Sequence, residues 1–355
     1  MSEEVPFELG YRMPAEWEEH KGTWISWPKN PLTFPEDILP SAEIAYAQMI
    51  KALCDNEIVH VLVDNGEYEK RVIKILAESG VIADEERIQF HEIPTGDVWF
   101  RDYGPIFVTR AGADGGDVAF TNWGFNAWGN KYDDLLMDAK IPEQLPLGNM
   151  RRFKAPMVLE GGSIDVNGLG TCLTTEQCLL NKNRNPGLGR DGIEKSLGEY
   201  LGATNVIWLK EGIAGDDTDG HVDDLARFVN PNTVLCAVDE NESDENYGAL
   251  ISNLRILEDA TDQDGKRLKI KKLPMPGKVD YHGQRLPASY TNFYIANNAV
   301  LVPIFKDKND GKALKIIEEH FPDRKVVGID SSALVAGFGA IHCVTQQEPF
   351  PNKKV

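Results

Sequence analysis

The sequence has few cysteines, no long apolar run and no surplus of positive charge, and each shortage removes a class of function. Its 355 residues include five cysteines, Cys54, Cys172, Cys178, Cys236 and Cys343, an odd number without a CxxC pair. That argues against a disulfide framework and a structural zinc site, and it leaves at least one thiol free. No stretch approaches the ~18 apolar residues of a membrane span. The opening Met1-Ser2-Glu3-Glu4-Val5-Pro6 lacks the basic and apolar regions of a secretory leader, so a cytoplasmic protein is expected. Lys and Arg number 37 against 56 Asp and Glu, a formal charge of -19. Such a chain is a poor partner for nucleic acid or an anionic membrane and attracts small cations. What it does have is 42% apolar residues and seven Trp, enough for a large core, and a length that alone leaves one or two domains open.

Apolar spacing and breakers predict helices over 41–55, 67–79, 131–140, 189–201, 243–260 and 310–320. Most lead into strand-like runs, at 58–63, 206–209, 268–272 and 326–329. Between these lie paired β-rich stretches: 105–109 with 118–122 across 111–116, 157–166 with 171–175, 221–229 with 233–238, and 291–296 with 299–304. If a final strand over 340–345 pairs with 23–27, the chain becomes five repeats of hairpin, helix and strand. Residues 67–91 are then one extra helix-strand insertion. The repeat lies in the pattern and not in the letters, and closure of the last strand on the first would seal a ring.

Such a ring would bring equivalent positions of its units to one axis, and chemically able residues occupy them. Cys343, with His342, Thr345, Gln346 and Gln347 around it, is in unusually polar company for a core strand. His221 and Asp223 would share a strand face by period two, and Trp99-Phe100-Arg101-Asp102 adds a carboxylate beside an aromatic wall. Cysteine, histidine and two carboxylates suit attack on a guanidinium carbon. Each piece also has a plainer reading, as a small core thiol, a buried hydrogen-bonded imidazole, a turn cap or an aromatic anchor. Asp216, Asp217 and Asp219 present another alternative, a hard-cation loop, although they lack regular EF-hand spacing and its closing Glu.

Six ordered segments carry a resemblance over nearly the whole chain. They are WFRDYGP (Trp99 to Pro105), NWGFNAWG (Asn122 to Gly129), LEGGS (Leu159 to Ser163), TDGHVDD (Thr218 to Asp224), ASYTNFYIAN (Ala288 to Asn297) and IHCVTQQEP (Ile341 to Pro349). In these the sequence resembles the agmatine deiminases, of the Porphyromonas-type peptidylarginine deiminase family in the guanidine-modifying, or pentein, superfamily. The resemblance implies an α/β fold, a five-bladed propeller of ββαβ units with pseudo-fivefold symmetry, spanning 1–355 as one catalytic domain without metal or organic cofactor. Carried over by position, it implies Cys343 as nucleophile, His221 as general acid and base, and Asp102 and Asp223 as the carboxylates holding the guanidinium. Asn292 is expected to orient groups near the sulfur, Glu160 to orient the His or line the pocket, and Trp99 and Trp123 to enclose an alkyl cation.

Two places depart from the family pattern. Gly337-Phe338-Gly339-Ala340 stands where GGGN is common, and Asp165 stands where a His is common. The expected reaction is hydrolysis of agmatine to N-carbamoylputrescine and ammonia through a cysteine-linked thiouronium, serving polyamine formation. The alternatives are an arginine or peptidylarginine deiminase and, in another class, a non-catalytic propeller that binds a partner. The expected partner is a small cationic guanidino substrate, with assembly into a homo-oligomer left open.

Overall fold

A computed structural model describes residues 4–112 and 116–351. Four of its sheets share one plan, in which an antiparallel hairpin is followed by a helical connection and a third strand parallel to the hairpin's second. These sheets are Ile106–Arg110, Asp117–Gly124 and Arg151–Val158; Asp165–Val166, Thr171–Thr175 and Asn205–Leu209; Ala226–Asn230, Thr233–Val238 and Lys269–Pro274; and Tyr294–Ile295, Ala299–Ile304 and Lys325–Asp330. A fifth sheet joins the two ends of the chain. Gln346–Pro349 runs antiparallel to His20–Ser26, which pairs in parallel with Ile58–Val63. The helix Gly66–Glu78 and the strand Ile88–Glu92 extend that sheet by one, as the expected insertion requires. A further two-stranded hairpin, Asp280–Tyr281 with Gln284–Arg285, was not expected.

The elements form for ordinary reasons. Thr233–Val238 and Ala299–Ile304 are buried along almost their whole length, as expected of strands covered on both faces. The helix Leu39–Leu53 buries Ala42, Ala45, Tyr46, Met49, Ile50 and Leu53, the stripe of an amphipathic helix. Asn65 caps Gly66–Glu78 by accepting from the amides of Glu67 and Tyr68. The helix expected from residue 243 begins only at Tyr247. Upstream of it, the side chains of Asp239, Asn241 and Asp244 each accept from an amide two residues on and hold turns instead.

Several expected strands are corrected by local hydrogen bonding. Residues 340–345 form a turn, and the closing strand is Gln346–Pro349, with Gln346 opposite Trp24 and Gln347 opposite Thr23. The Oδ1 of Asn292 accepts from the amides of His342 and Cys343, and Thr345 donates to His342 through its amide and to Ile341 through its hydroxyl. The donors that a strand would send sideways are therefore already used. His221 and Asp223 are not on a strand either: Val222–Asp224 is a 3-10 turn and the strand starts at Ala226. The expected strand over 157–166 divides between two sheets, leaving Glu160 in the connection. The loop predicted at 111–116 falls partly outside the described residues.

Candidate active site

The turn at 340–345 holds Cys343 against a side chain from a different unit. Asn292, just before Tyr294–Ile295, donates from Nδ2 to Cys343 Sγ at 3.1 Å and to Asp224 Oδ1 at 3.1 Å, while its Oδ1 accepts from the amide of His342 at 2.9 Å. One amide side chain thus fixes both the sulfur and the turn that carries it. Asp223 Oδ2 lies 3.7 Å from the sulfur and 2.7 Å from His342 Nδ1, and the other ring nitrogen of His342 meets Glu16 Oε2 at 2.9 Å.

Asp102 approaches from the short helix Phe100–Tyr103. Its carboxylate accepts from Trp128 Nε1 at 2.9 Å and from the Gly162 amide at 3.0 Å, and lies 3.8 Å from His221 Nδ1. Gly162 has to be glycine. A Cβ there would lie 2.6 Å from His221 Nδ1, 2.9 Å from Asp102 Oδ1 and 3.1 Å from Asp223 Oδ2, so three of the expected site residues converge on one backbone atom.

Within this cluster Asp223 Oδ1 and Glu160 Oε2 are fully buried without a hydrogen-bond partner among the described residues, and the ring of His221 is engaged only by the Asp102 carboxylate and the Cys178 thiol. Leaving such groups unpaired is costly, and together they form a surface able to receive N–H donors and exchange protons. Burial raises the Asp102 carboxyl to about 6 against the pull of His221, and the like charges of Asp223 and Glu160 add to the rise. Burial would likewise raise Asp223, but its bond to His342 together with the charges of His342, His221 and Arg227 holds it below the usual carboxylate range. His221 is the reverse case, since burial lowers it while Asp102, Cys178 and Asp223 together carry it well above an ordinary imidazole. Burial, followed by Asp223, Asp224 and Asp102, pushes the Cys343 thiol well up. The sulfur therefore needs an incoming cation to become a thiolate.

Cys343 opens into a cavity of about 170 Å³ whose walls include Trp99, Trp128, Asp102, Asp217 and Phe338. Trp99 is where the sequence reading put it. Trp123 is not: it lies away from the cavity, edge-on to Tyr200 at 5.6 Å, with Nε1 bonded to Thr121. Trp128, five residues on in the same aromatic segment, takes the wall position with a left-handed backbone, φ 53°. Strand alternation turns Trp123 toward the packed side of its sheet, whereas the bend after Gly124 aims Trp128 inward. His342, Glu16 and Asp224 were also missed. His342 sits inside one of the quoted segments, but Glu16, far away in sequence and buried between Arg101 and Arg227, carried no local signal.

Glu160 does not reach the cavity. It pairs with Arg184 at 2.9 Å, and one of its oxygens lies with Cys178 Sγ and a His221 ring nitrogen in a group all within 4.8 Å of one another. The acidic loop offers no comparable set. Asp216 accepts from the amides of Thr218, Gly220 and His221, Asp217 accepts from Tyr132, and Asp219 is engaged by Asn183, Arg184 and Lys131, so the three carboxylates serve separate donors.

A family model for Porphyromonas-type peptidyl-arginine deiminases matches residues 12–349. The chain belongs to that family. It is 38% identical to an agmatine deiminase of Pseudomonas aeruginosa over 369 aligned positions, covering 97% of both chains. Among solved structures, the agmatine deiminase of Enterococcus faecalis superposes with a TM-score of 0.90 at 33% identity, covering 99% of each chain. An agmatine deiminase of C. jejuni carrying a cysteine-to-serine change, with substrate bound, superposes at 0.81 and 30% identity over 97% of each. The mixed α/β fold expected for this deiminase is thus the fold of its solved relatives.

Proposed function

We propose that this deiminase-family chain hydrolyses agmatine to N-carbamoylputrescine and ammonia. The observation that carries the reading is a buried cysteine between Asn292 and Asp223, at the end of a cavity walled by Trp99, Trp128 and Asp102. A guanidinium is planar, permanently charged and rich in paired N–H groups, which suits carboxylate partners. Asp102 and Asp223 grip it, and its charge draws the thiol toward thiolate, with the thiol proton released to solvent. The sulfur then bonds to the guanidino carbon, His221 protonates the departing nitrogen, and ammonia leaves a thiouronium on Cys343. Water that has given a proton to His221 adds to the same carbon; the carbon–sulfur bond breaks and the thiol returns.

Asp97, Asp134 and Asp217 also line the cavity. They favour a free amine at the far end of the substrate and oppose the carboxylate of arginine. The aromatic walls cover the alkyl chain between. The chain works as one catalytic domain over 1–355, because pairing of Gln346–Pro349 with His20–Ser26 places Cys343 only when both ends are present. The setting is the cytoplasm, where thiols stay reduced. No described helix is long and apolar enough to cross a membrane. The small cationic substrate is the partner, not nucleic acid or a membrane, and the product feeds polyamine formation. Competition among agmatine, arginine and a peptidylarginine at equal concentration tests the reading. Carbamoylputrescine in clear excess is expected; citrulline as the main product replaces agmatine with arginine, and no ammonia from any of the three ends the enzymatic reading.

A further inference from the structure

We propose that Glu160, Cys178 and His221 form a site for a thiophilic divalent cation such as Zn2+ or Cd2+, which acts as an inhibitor and leaves Cys343 untouched. One ligand atom from each lies within 4.8 Å of the other two, and all three side chains are buried. Zinc bonds of about 2.0–2.3 Å in tetrahedral array place ligand atoms roughly 3.5 Å apart, so no pair has to close by more than about 1.3 Å. The second observation is an unpaired, buried carboxylate oxygen in the group. Among the described residues Glu160 Oε2 is buried without a hydrogen-bond partner, while Glu160 Oε1 remains committed to Arg184 and the Cys178 thiol faces His221. A free carboxylate oxygen, an imidazole nitrogen and a thiol this close together are a borderline-soft donor set.

The charge balance is favourable. Glu160 and a deprotonated Cys178 supply two negative charges, offset in part by Arg184, and Asp102 stands beside His221 at 3.8 Å. Binding releases the thiol proton, because a coordinated sulfur is deprotonated even where burial alone keeps it protonated. Asp102, beside His221, lines the cavity together with Asp217, so acidic groups lie between the solvent and the site. Once coordinated, His221 has a ring nitrogen committed to metal and is withdrawn from proton transfer.

The test uses the full chain with Cys54→Ser and Cys343→Ser, which removes the half-buried thiol and the expected nucleophile, and reads cadmium binding by its thiolate charge-transfer absorption. One equivalent is expected to saturate the signal, and zinc is expected to displace it. Adding Cys178→Ser is expected to abolish the band, and adding His221→Asn to weaken binding roughly tenfold or more. A band that survives Cys178→Ser, an affinity indifferent to His221→Asn, or no band at millimolar cadmium overturns the site. Thermal unfolding checks each variant, and if Cys178→Ser does not fold, the His221→Asn titration decides alone. No turnover is measured, so failure here is separate from failure of the deiminase reading.

Discussion

At the scale of single residues, the site depends on a few atoms with no room for substitution. Cys343→Ala is expected to abolish ammonia release while leaving the unfolding temperature within a few degrees of wild type, and acid quenching of wild type during turnover is expected to leave substrate mass on the Cys343 peptide. Mass on another cysteine would move the reaction elsewhere. Gly162→Ala is the more discriminating change. Its methyl would lie 2.6 Å from His221 Nδ1, so kcat is expected to fall roughly 100-fold or more, about 3 kcal/mol in the barrier, with secondary structure intact by circular dichroism. Near-normal kcat would show that His221 and Asp102 need not hold their places. Protonation of Asp102 predicts an acid limb. Its carboxyl titrates near 6 because burial opposes the charge, so kcat/KM is expected to decline as pH falls through about 6 and the negative charge is lost. A profile flat to pH 5 would contradict that role.

At the scale of elements, the segment before the nucleophile does most to shape the cavity. Gly337 cannot carry a Cβ, which would sit 2.6 Å from Thr33 Cγ2, and one on Gly339 would run into Trp99. Between them Phe338 has φ 73°, a left-handed conformation that costs a side chain roughly 1–2 kcal/mol relative to glycine. Its ring nevertheless walls the cavity. Phe338→Gly is expected to leave stability within about 1 kcal/mol of wild type, as relief of strain offsets lost packing, while KM for agmatine rises several-fold and the preference over arginine narrows. Steady-state kinetics with both substrates checks this; an unchanged preference would remove Phe338 from substrate selection. The sequence reading named this segment as a departure from the family pattern, but placed the residues after it on a strand. A polar strand and a polar turn share composition, and what separated them was the side chain of Asn292, about fifty residues away.

At the scale of the molecule, a buried ion network ties the units together. Glu16 contacts Arg227 at 2.8 Å, Arg101 at 3.3 Å and His342 at 2.9 Å, and Arg227 also holds Asp165 at 2.7 Å. Asp165, where the family commonly has His, is thus paired to a buried guanidinium. Burial opposes the charge of Glu16, but Arg227, His342 and Arg101 outweigh it and keep the carboxyl well below its usual range. The sign follows: a depressed folded pKa contributes stability that is complete above the unfolded value and declines as pH falls below it. Glu16→Gln leaves two buried cations short of a partner and is expected to cost about 3–5 kcal/mol at pH 7, with the gap from wild type shrinking below about pH 4.5. Denaturant unfolding at pH 7 and pH 4 measures both. A gap independent of pH would mean that the charge of Glu16 is not what matters.

Local composition singled out the candidate residues for the chemistry and determined which runs form regular structure. Ile58–Val63 and Ala299–Ile304 were legible to the residue, because a strand buried on both faces is a continuous apolar run with turn residues at its ends. The thiol, imidazole and carboxylates were legible as a parts list, and the five-unit order as a rhythm of helix and strand signals. Tertiary structure alone decided which groups meet. Trp128 rather than Trp123 reaches Asp102, Glu16 pairs with His342, and Cys178 lies beside His221, since a bend, a buried ion network and the contacts between neighbouring units are set by side chains far apart in sequence. Periodicity reports what a segment does along its own axis; the partner across a core is chosen only when the whole chain has closed.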